Sequence, residues 1–275
     1  KRFGFVGLGV LLKLFPIIFV PYGFLQTKGR SRWSTILAVA IPASFTAGVF
    51  AVTGWGLQAF SGTLVWEAHG SPQGMTYGGL LSSPLVAGAA SSNATLFYLL
   101  GDLWIPGVLL GGAWAHRRFA GESPAAVLQA FVWLTVLLFL LRWTVNEQYL
   151  VYLLPLLLLD VAVWHPERRG LFHLTWVLAT SFLVLNNFFL IRFGAPAFPA
   201  ALAVESALQA DPLFGVLRPI VLDVIGLLFT IHLIQLGLVV ANPSRPATTW
   251  SLRLLQRTWS ESVLRVRSIT SGRGG

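Results

Sequence analysis

The chain has no cysteine among its 275 residues. This absence excludes a disulfide scaffold, a thiolate metal site and a cysteine nucleophile. Motifs of soluble enzymes are missing as well: there is no H-E-x-x-H pair, no Walker-type phosphate loop and no G-x-G-x-x-G opening a helix after a strand. The five histidines are scattered, so no histidine metal site is predicted. We predict no cofactor, and the sequence gives no support to a divalent cation.

Charged residues are also scarce. They make up 11 % of the chain, whereas a soluble domain carries about 25 %. Hydrophobic residues reach 55 %, and the mean hydropathy is +0.73. So few charges cannot cover a water-facing surface, and so many apolar residues exclude a disordered chain. The composition therefore predicts an integral membrane protein.

Seven segments are long and apolar enough to suggest membrane spans, since the bilayer core takes about 20 apolar residues per helix. They are 3–25, 34–56, 94–114, 124–141, 149–164, 171–191 and 214–240. Their continuous, Leu-rich composition differs from the two-residue alternation of membrane barrel strands. Because a helix satisfies its own backbone in lipid, the predicted fold is all-α: a polytopic transmembrane helical bundle of about seven spans.

Basic residues concentrate on one side of this arrangement. Four connecting or terminal segments carry 13 of the 19 Lys and Arg residues: 26–33, 115–122, 165–170 and 241–275. Three segments on the other side carry only Arg142 and Arg192: 57–93, 142–148 and 192–213. The positive-inside rule makes the first set cytoplasmic in a multi-pass plasma-membrane protein. The net charge of +9 then reflects topology, and no nucleic-acid partner is predicted. The odd number of spans puts Lys1 outside, so we expect the chain to be a fragment that continues upstream.

The basic tail, residues 242–275, is predicted to be distinct from the transmembrane domain, residues 1–241. Apolar residues of the tail recur at spacings of three and four: Leu252, Leu255, Trp259, Val263 and Val266. Arginines lie away from this stripe, as in an amphipathic helix. Such a helix binds an anionic inner leaflet, which makes membrane lipid a predicted partner. Docking to a partner protein is the alternative.

Ionisable residues inside predicted spans are costly and mark candidate sites or buried pairs. There are five: Lys13, Asp102, Asp160, Asp223 and His232. Lys13 lies about ten residues from either end of its span, so we expect it to face a polar cavity or an acidic partner. Asp160 is expected to reach the cytoplasmic interface, and His232 to be a satisfied polar group. Asp102 and Asp223 are expected to pair with Arg218, Lys13 or each other.

The densest polar cluster lies in R-W-T-V-N-E-Q-Y at 142–149. It offers a guanidinium, two amides, a carboxylate and a phenol at the outer end of a predicted span: Arg142, Asn146, Glu147, Gln148 and Tyr149. These groups can hydrogen-bond sugar hydroxyls and pair with a phosphate. A plain helix cap is the alternative, with Asn146 capping the next helix and Glu147 complementing its dipole.

Two runs resemble a known family. The run G-L-G-V-L-L-K-L-F-P-I-I-F-V-P at 7–21 resembles the Lys-Pro helix of GT-C glycosyltransferases, and N-E-Q-Y-L-V-Y-L-L-P-L-L at 146–157 is similar to their later Q-Y segment. The nearest relatives by these motifs are the glycosylphosphatidylinositol mannosyltransferase I family and its prokaryotic cousins. The second match is carried by Gln148, Tyr149, Tyr152, Pro155 and Leu156. The resemblance implies a transferase that takes a sugar from a polyprenyl-phosphate-linked donor on the outer leaflet.

The resemblance leaves the catalytic residues unassigned, because the acidic loop of the family precedes the Lys-Pro helix and lies upstream of this sequence. The loop 57–93 offers Glu67 and His69, without the Arg of the family. The predicted substrate-binding residues are therefore Lys13, Glu67, His69, Arg142, Asn146, Glu147, Gln148 and Tyr149. A transporter or lipid-linked-sugar flippase and a non-catalytic membrane subunit are the competing functions.

The topology is directly testable because the chain has no cysteine. A single cysteine at Ser71 should react with an impermeant maleimide added to the outside of intact cells. A cysteine at Ser244, in the predicted cytoplasmic tail, should react only after the cells are opened. Labelling of the Ser71 cysteine from the cytoplasmic side alone would reverse the orientation.

Overall fold

The structure, a computed structural model, describes part of the chain: residues 15–29, 31–56, 58–59, 62, 73–83, 102–121, 123–142, 144–146, 149–187, 196, 198 and 200–242. Five predicted site residues lie outside these ranges: Lys13, Glu67, His69, Glu147 and Gln148. The predicted amphipathic tail helix lies outside them as well.

The described residues are almost entirely helical. In chain order the elements are α1 (Val20–Gln26, after a 3-10 turn at Phe15–Phe19), α2 (Ser31–Val52), β1 (Gln73–Gly74), α3 (Tyr77–Ser82), α4 (Trp104–Arg118), α5 (Pro124–Leu141), β2 (Thr144–Val145), α6 (Leu150–Val163), a 3-10 turn at Pro166–Arg168, α7 (Arg169–Asn186), α8 (Ala200–Ala210) and α9 (Pro212–Ala241). The predicted all-α class is confirmed.

Three described helices are long and apolar enough to cross a membrane: Arg32–Val52, Pro124–Leu141 and Pro212–Ala241. Two shorter apolar helices accompany them, Ile17–Gln26 and Leu150–Val163. The predicted count of seven spans stays a prediction, because the remaining segments are shorter, less apolar or only partly described.

The longest helix, α9, is apolar on its exposed as well as its buried side. Leu213, Val216 and Val224 are more than half exposed, whereas Phe229 and Leu233 are fully buried. A helix that is hydrophobic all round belongs in a large core or a bilayer. The exposed apolar side chains of α9 are therefore suited to contact lipid.

Helix α5 is the centre of the bundle and packs against α4, α6 and α9. Ala130 and Leu134 on one side of α5, and Val132 on the opposite side, are all fully buried. Its Phe131 stacks on Phe19 of the first 3-10 turn, with ring centroids 4.1 Å apart. Dispersion contacts of this kind hold helices together in lipid. The hydrophobic effect does not drive helix association there, because the lipid tails are as apolar as the helix surfaces.

At one end of the bundle, Asp160 of α6 is 1 % exposed and forms an ion pair with Arg168, which is 2 % exposed. The Arg168 Nη1 donates to Asp160 Oδ2 over 2.9 Å. The ring of His165 joins Asp160 Oδ1 to the Gln129 amide of α5, at 2.8 and 2.9 Å. The α6–α7 turn folds Arg168 back over Asp160 and buries it, and the expected position of Asp160 at the membrane interface stays a prediction.

His232 of α9 is 2 % exposed and lies 2.7 Å from the hydroxyl of Thr175 on α7. The Thr175 hydroxyl also hydrogen-bonds the Leu171 carbonyl over 2.9 Å, and the imidazole tautomer decides which group donates in the contact between Thr175 and His232 Nε2. The prediction of a satisfied polar group holds for Nε2, whereas Nδ1 has no hydrogen-bond partner within the described ranges.

The opposite end contains the one pair of strands in the described part of the chain. β1 and β2 pair in parallel, with Gln73 opposite Thr144 and Gly74 opposite Val145. Met75 N extends the contact by donating to Val145 O over 2.9 Å. Gly74 has φ +102, and a Cβ there would collide with the Val145 carbonyl. Only glycine fits this backbone and this approach.

The buried ion pair generates a stability prediction. Asp160→Asn leaves Arg168 buried without a counter-charge, so we expect a loss of about 3–5 kcal/mol in the free energy of unfolding. Tryptophan fluorescence during denaturation in detergent measures it. The control, Glu167→Gln, alters an exposed neighbouring carboxylate and should change stability by less than about 0.5 kcal/mol. Equal effects of the two substitutions would show that the ion pair does not stabilise the fold.

A second prediction concerns the strand pair. Gly74→Ala should destabilise the protein by more than about 1 kcal/mol, because the new methyl group strains φ and displaces β1 from β2. Gly48→Ala is the matched control, since a Cβ at Gly48 in α2 meets no atom within 4 Å. Equal unfolding midpoints for the two variants would contradict the close approach at Gly74.

Candidate functional site

The end of α5, the start of α6, the end of α7 and the start of α9 meet at the end of the bundle that holds β1 and β2. A cavity of about 250 Å³ lies there. It is lined by Gly74, Thr76, Gly79, Leu80, Ser83, Asn146, Phe182, Asn186, Pro219, Leu222, Asp223 and Gly226. Two predicted outer segments, 57–93 and 142–148, thus meet at one wall of the cavity.

Helix α9 supplies one wall with residues of a single face. Pro219, Leu222, Asp223 and Gly226 follow one another at spacings of three, one and three, which is the pattern of a helical face. The helix begins at a well-formed cap, where the Asp211 carboxylate accepts from the backbone N–H of the next turn over 2.8 Å. The local sequence therefore fixes where α9 begins.

Among the described residues that line the cavity, Asp223 alone carries a charge. Ser83, at the end of α3, donates its hydroxyl to Asp223 Oδ2 over 2.5 Å. This bond joins α9 to a loop 140 residues earlier in the chain. The second carboxylate oxygen has no hydrogen-bond partner within the described ranges, so the carboxylate retains acceptor capacity toward the cavity.

Neutral polar groups surround the carboxylate. Asn146 lines the cavity, and no hydrogen bond of its side-chain amide is found in the described part of the chain. Thr76 is fully buried, and its hydroxyl oxygen has no partner among the described residues. A buried hydroxyl without a partner costs about 1–3 kcal/mol. The wall therefore offers the Asn146 amide to a bound ligand, whereas the Thr76 hydroxyl lies buried behind the cavity surface.

Two of the predicted site residues support this wall without lining the cavity. Arg142 is 9 % exposed, and its guanidinium lies over the ring of Tyr149 at 5.1 Å from the centroid. Tyr149 is itself 4 % exposed. A guanidinium over an aromatic face is an attractive contact. Arg142 and Tyr149 flank β2 and Asn146 in the chain. Their contact therefore supports the segment that contributes Asn146 to the cavity wall.

Tyr77 ties α3 to the same region. Its hydroxyl donates to the Leu141 carbonyl at the end of α5 over 3.2 Å. Burial raises the pKa of the Tyr77 phenol above its usual value, because desolvation disfavours the anion. Tyr77 therefore stays a neutral donor at any physiological pH and holds α3 against the bundle.

The helix-cap interpretation of Asn146 is wrong. Helix α6 begins at Leu150 with Tyr149 at the cap position, and no side chain there makes a capping hydrogen bond. The Asn146 contribution is its backbone carbonyl, which accepts from Tyr149 N over 3.0 Å.

Among the described residues, Ser83 is the hydrogen-bond partner of Asp223. The expected pairing of Asp223 with Lys13 stays a prediction, because Lys13 lies outside the described ranges. Arg218 donates to the carbonyls of Leu185 and Asn186 over 2.9 and 2.7 Å, and so caps the end of α7. Sequence reasoning also missed Thr76 and Asn186 as lining residues. The available signal for Asn186 was a polar pair, Asn186 and Asn187, closing an otherwise apolar run.

Within the described ranges, no three His, Asp or Glu side chains converge on a point that could hold a metal ion. The cavity offers hydrogen-bonding groups around a lone carboxylate, with Phe182, Leu80 and Leu222 as apolar walls. Its chemistry suits a small ligand that carries both hydroxyl groups and an apolar face.

No protein-family model matches this chain, and neither a curated protein nor a solved structure shows significant similarity to it.

Proposed function

We propose that the protein is a multi-pass plasma-membrane glycosyltransferase that takes a sugar, of the mannose type, from a polyprenyl-phosphate-linked donor on the outer face. In this proposal the bundle has seven spans, and the cavity at the α7–α9 end faces the outside. The catalytic carboxylate is left unassigned in this proposal.

The observation that carries the proposal is the polar cavity at one end of an apolar bundle. A lipid-linked sugar has its hydroxyl groups and phosphate at the membrane surface and its chain in the bilayer. The cavity of Asp223, Asn146, Ser83 and Thr76 offers acceptors and donors for hydroxyl groups. Exposed apolar side chains of α9, including Val221 and Val224, continue from the cavity along the bundle and suit the lipid chain.

The distribution of basic residues supports the outer location. The segments that reach the cavity belong to the set that carries only Arg142 and Arg192, and this set is predicted to be outside. The opposite end of the bundle, with Arg118, Arg168 and Arg169, then faces the cytoplasm.

Transfer breaks the bond between the anomeric carbon and the phosphate oxygen and forms a bond to the acceptor oxygen. The acceptor hydroxyl proton moves to a carboxylate, and the lipid phosphate leaves with its charge stabilised by cationic side chains. We propose Lys13 and Arg192, which lie outside the described ranges, for the phosphate. Arg142 is sandwiched against Tyr149, so we reassign it from substrate binding to support of the cavity wall.

The test uses the full-length gene product in membrane vesicles, supplied with polyprenyl-phosphate-linked, radiolabelled hexose. Asn146→Ala and Gln148→Ala should each lower transfer about two- to twelvefold, since one hydrogen bond is worth about 0.5–1.5 kcal/mol and 1.4 kcal/mol is tenfold in rate. Ser206→Ala, an exposed change in α8, is the control and should leave transfer unchanged.

Two results would contradict the proposal. Wild-type vesicles that transfer no sugar from any lipid-linked donor would refute the enzyme. Flux of intact donor across the vesicle membrane without transfer would establish the flippase instead. Unaltered transfer by both variants would remove the segment 146–149 from the site and leave the enzyme class standing.

A further inference from the structure

We infer that the cavity beside Asp223 binds a neutral, polyhydroxylated ring, the sugar itself, and that the phosphate of a lipid-linked ligand stays outside it. The inference rests on the proposed function for the kind of ligand, and it divides the site into a sugar subsite within the described residues and a phosphate subsite beyond them.

Charge is the first reason. The lining has one carboxylate and no basic side chain in the part of the chain that the structure describes. A phosphate placed beside Asp223 would be repelled, and the repulsion is strong in a cavity with apolar walls. Arg218, one residue before the lining residue Pro219, directs its Nε and one terminal nitrogen to carbonyls of α7.

Hydrogen-bonding capacity is the second reason. Ser83 occupies Oδ2 of Asp223 and thereby fixes the plane of the carboxylate. The remaining oxygen accepts hydroxyl groups, the Asn146 amide both donates and accepts, and the Thr76 hydroxyl is buried without a partner among the described residues. A ring with adjacent hydroxyl groups can bind the free oxygen of Asp223 and the Asn146 amide at once.

Size and shape are the third reason. A volume of about 250 Å³ lies just below the roughly 300–1,000 Å³ of pockets for drug-sized ligands. It therefore suits a single ring. Phe182 presents an aromatic side chain in the wall, and the C–H side of a sugar ring packs on such a surface. Polar lining groups lie beside these apolar ones, with Asn186 one helical turn from Phe182 and Asp223 next to Leu222, so a ring with both hydroxyl groups and C–H surface matches the lining.

The test uses protection of a single cysteine, which the cysteine-free chain allows. Leu80→Cys places a thiol in the cavity wall without altering a polar lining group. The full-length protein in lipid nanodiscs is treated with N-ethylmaleimide in the presence of octyl glucoside below its micelle concentration, of methyl glucoside or of octyl phosphate. Ser206→Cys on α8 is the control for effects of each probe on labelling itself.

We expect octyl glucoside to slow labelling of the Leu80 cysteine at least fivefold, octyl phosphate to leave it unchanged, and neither to affect the Ser206 cysteine. Equal protection by methyl glucoside would show that a free sugar suffices, whereas protection by octyl glucoside alone would assign the cavity to a lipid-borne sugar. Both results support the inference.

Adding Asp223→Asn to Leu80→Cys should raise the half-protecting concentration of octyl glucoside about tenfold, because a charge-assisted acceptor is replaced by a neutral one. An unchanged labelling rate without probe shows that this variant retains the cavity. If Asp223→Asn changes the labelling rate without probe, Asn146→Ala is used in its place. Asn146→Ala should raise the half-protecting concentration of octyl glucoside about threefold.

Protection by octyl phosphate equal to that by octyl glucoside, or none by either, would overturn the inference. Sugar transfer by wild-type vesicles in the same preparation would show that the proposed function survives this failure. If octyl glucoside protects the cysteine but wild-type vesicles transfer no sugar, the inference holds and the proposed function fails. The protein would then have a sugar-binding cavity without being a transferase.

Discussion

A polar group buried in an apolar bundle must find its partner within the protein, because lipid offers none. With only 11 % charged residues, this chain has few such groups, and each one constrains the arrangement of helices around it. Asp160 is held by Arg168 and His165, and His232 by Thr175. These bonds connect α5, α6, α7 and α9, so the polar minority determines which apolar surfaces meet.

The two ends of the bundle use polar residues differently. At the Asp160 end, the carboxylate, the guanidinium, the imidazole and the Gln129 amide hydrogen-bond one another. At the Asp223 end, one hydrogen bond from Ser83 is made, and the remaining capacity surrounds a cavity. A hydrogen-bond network with all its groups satisfied rigidifies a protein. Polar groups without partners around a cavity destabilise it, and a ligand that hydrogen-bonds to them removes this destabilisation. This difference is why binding is assigned to the second end.

Hydropathy predicted the helices well where a segment is bounded by strong local signals. The segment 124–141 coincides with α5, because Ser123 caps the helix through the Ala126 N–H and Pro124 begins it. Helix α8, Ala200–Ala210, lies inside the predicted outer segment 192–213 and was not predicted. The strand pair at Gly74 and the short helix α3 were missed, because two paired residues leave no periodic signal and their stability comes from contacts with distant residues.

The sequence by itself determined that the chain is helical, apolar and suited to a membrane, since composition and run length depend only on local residues. It also singled out Asn146 and Asp223 as candidates, each from its own segment. Only the tertiary structure decided that these two, 77 positions apart in the numbering, line one cavity together with Ser83 and Thr76. The physical reason is that helices such as α9 are apolar on every face. No periodicity then tells which face turns inward, and the choice falls to side-chain packing and to the few polar bonds between helices.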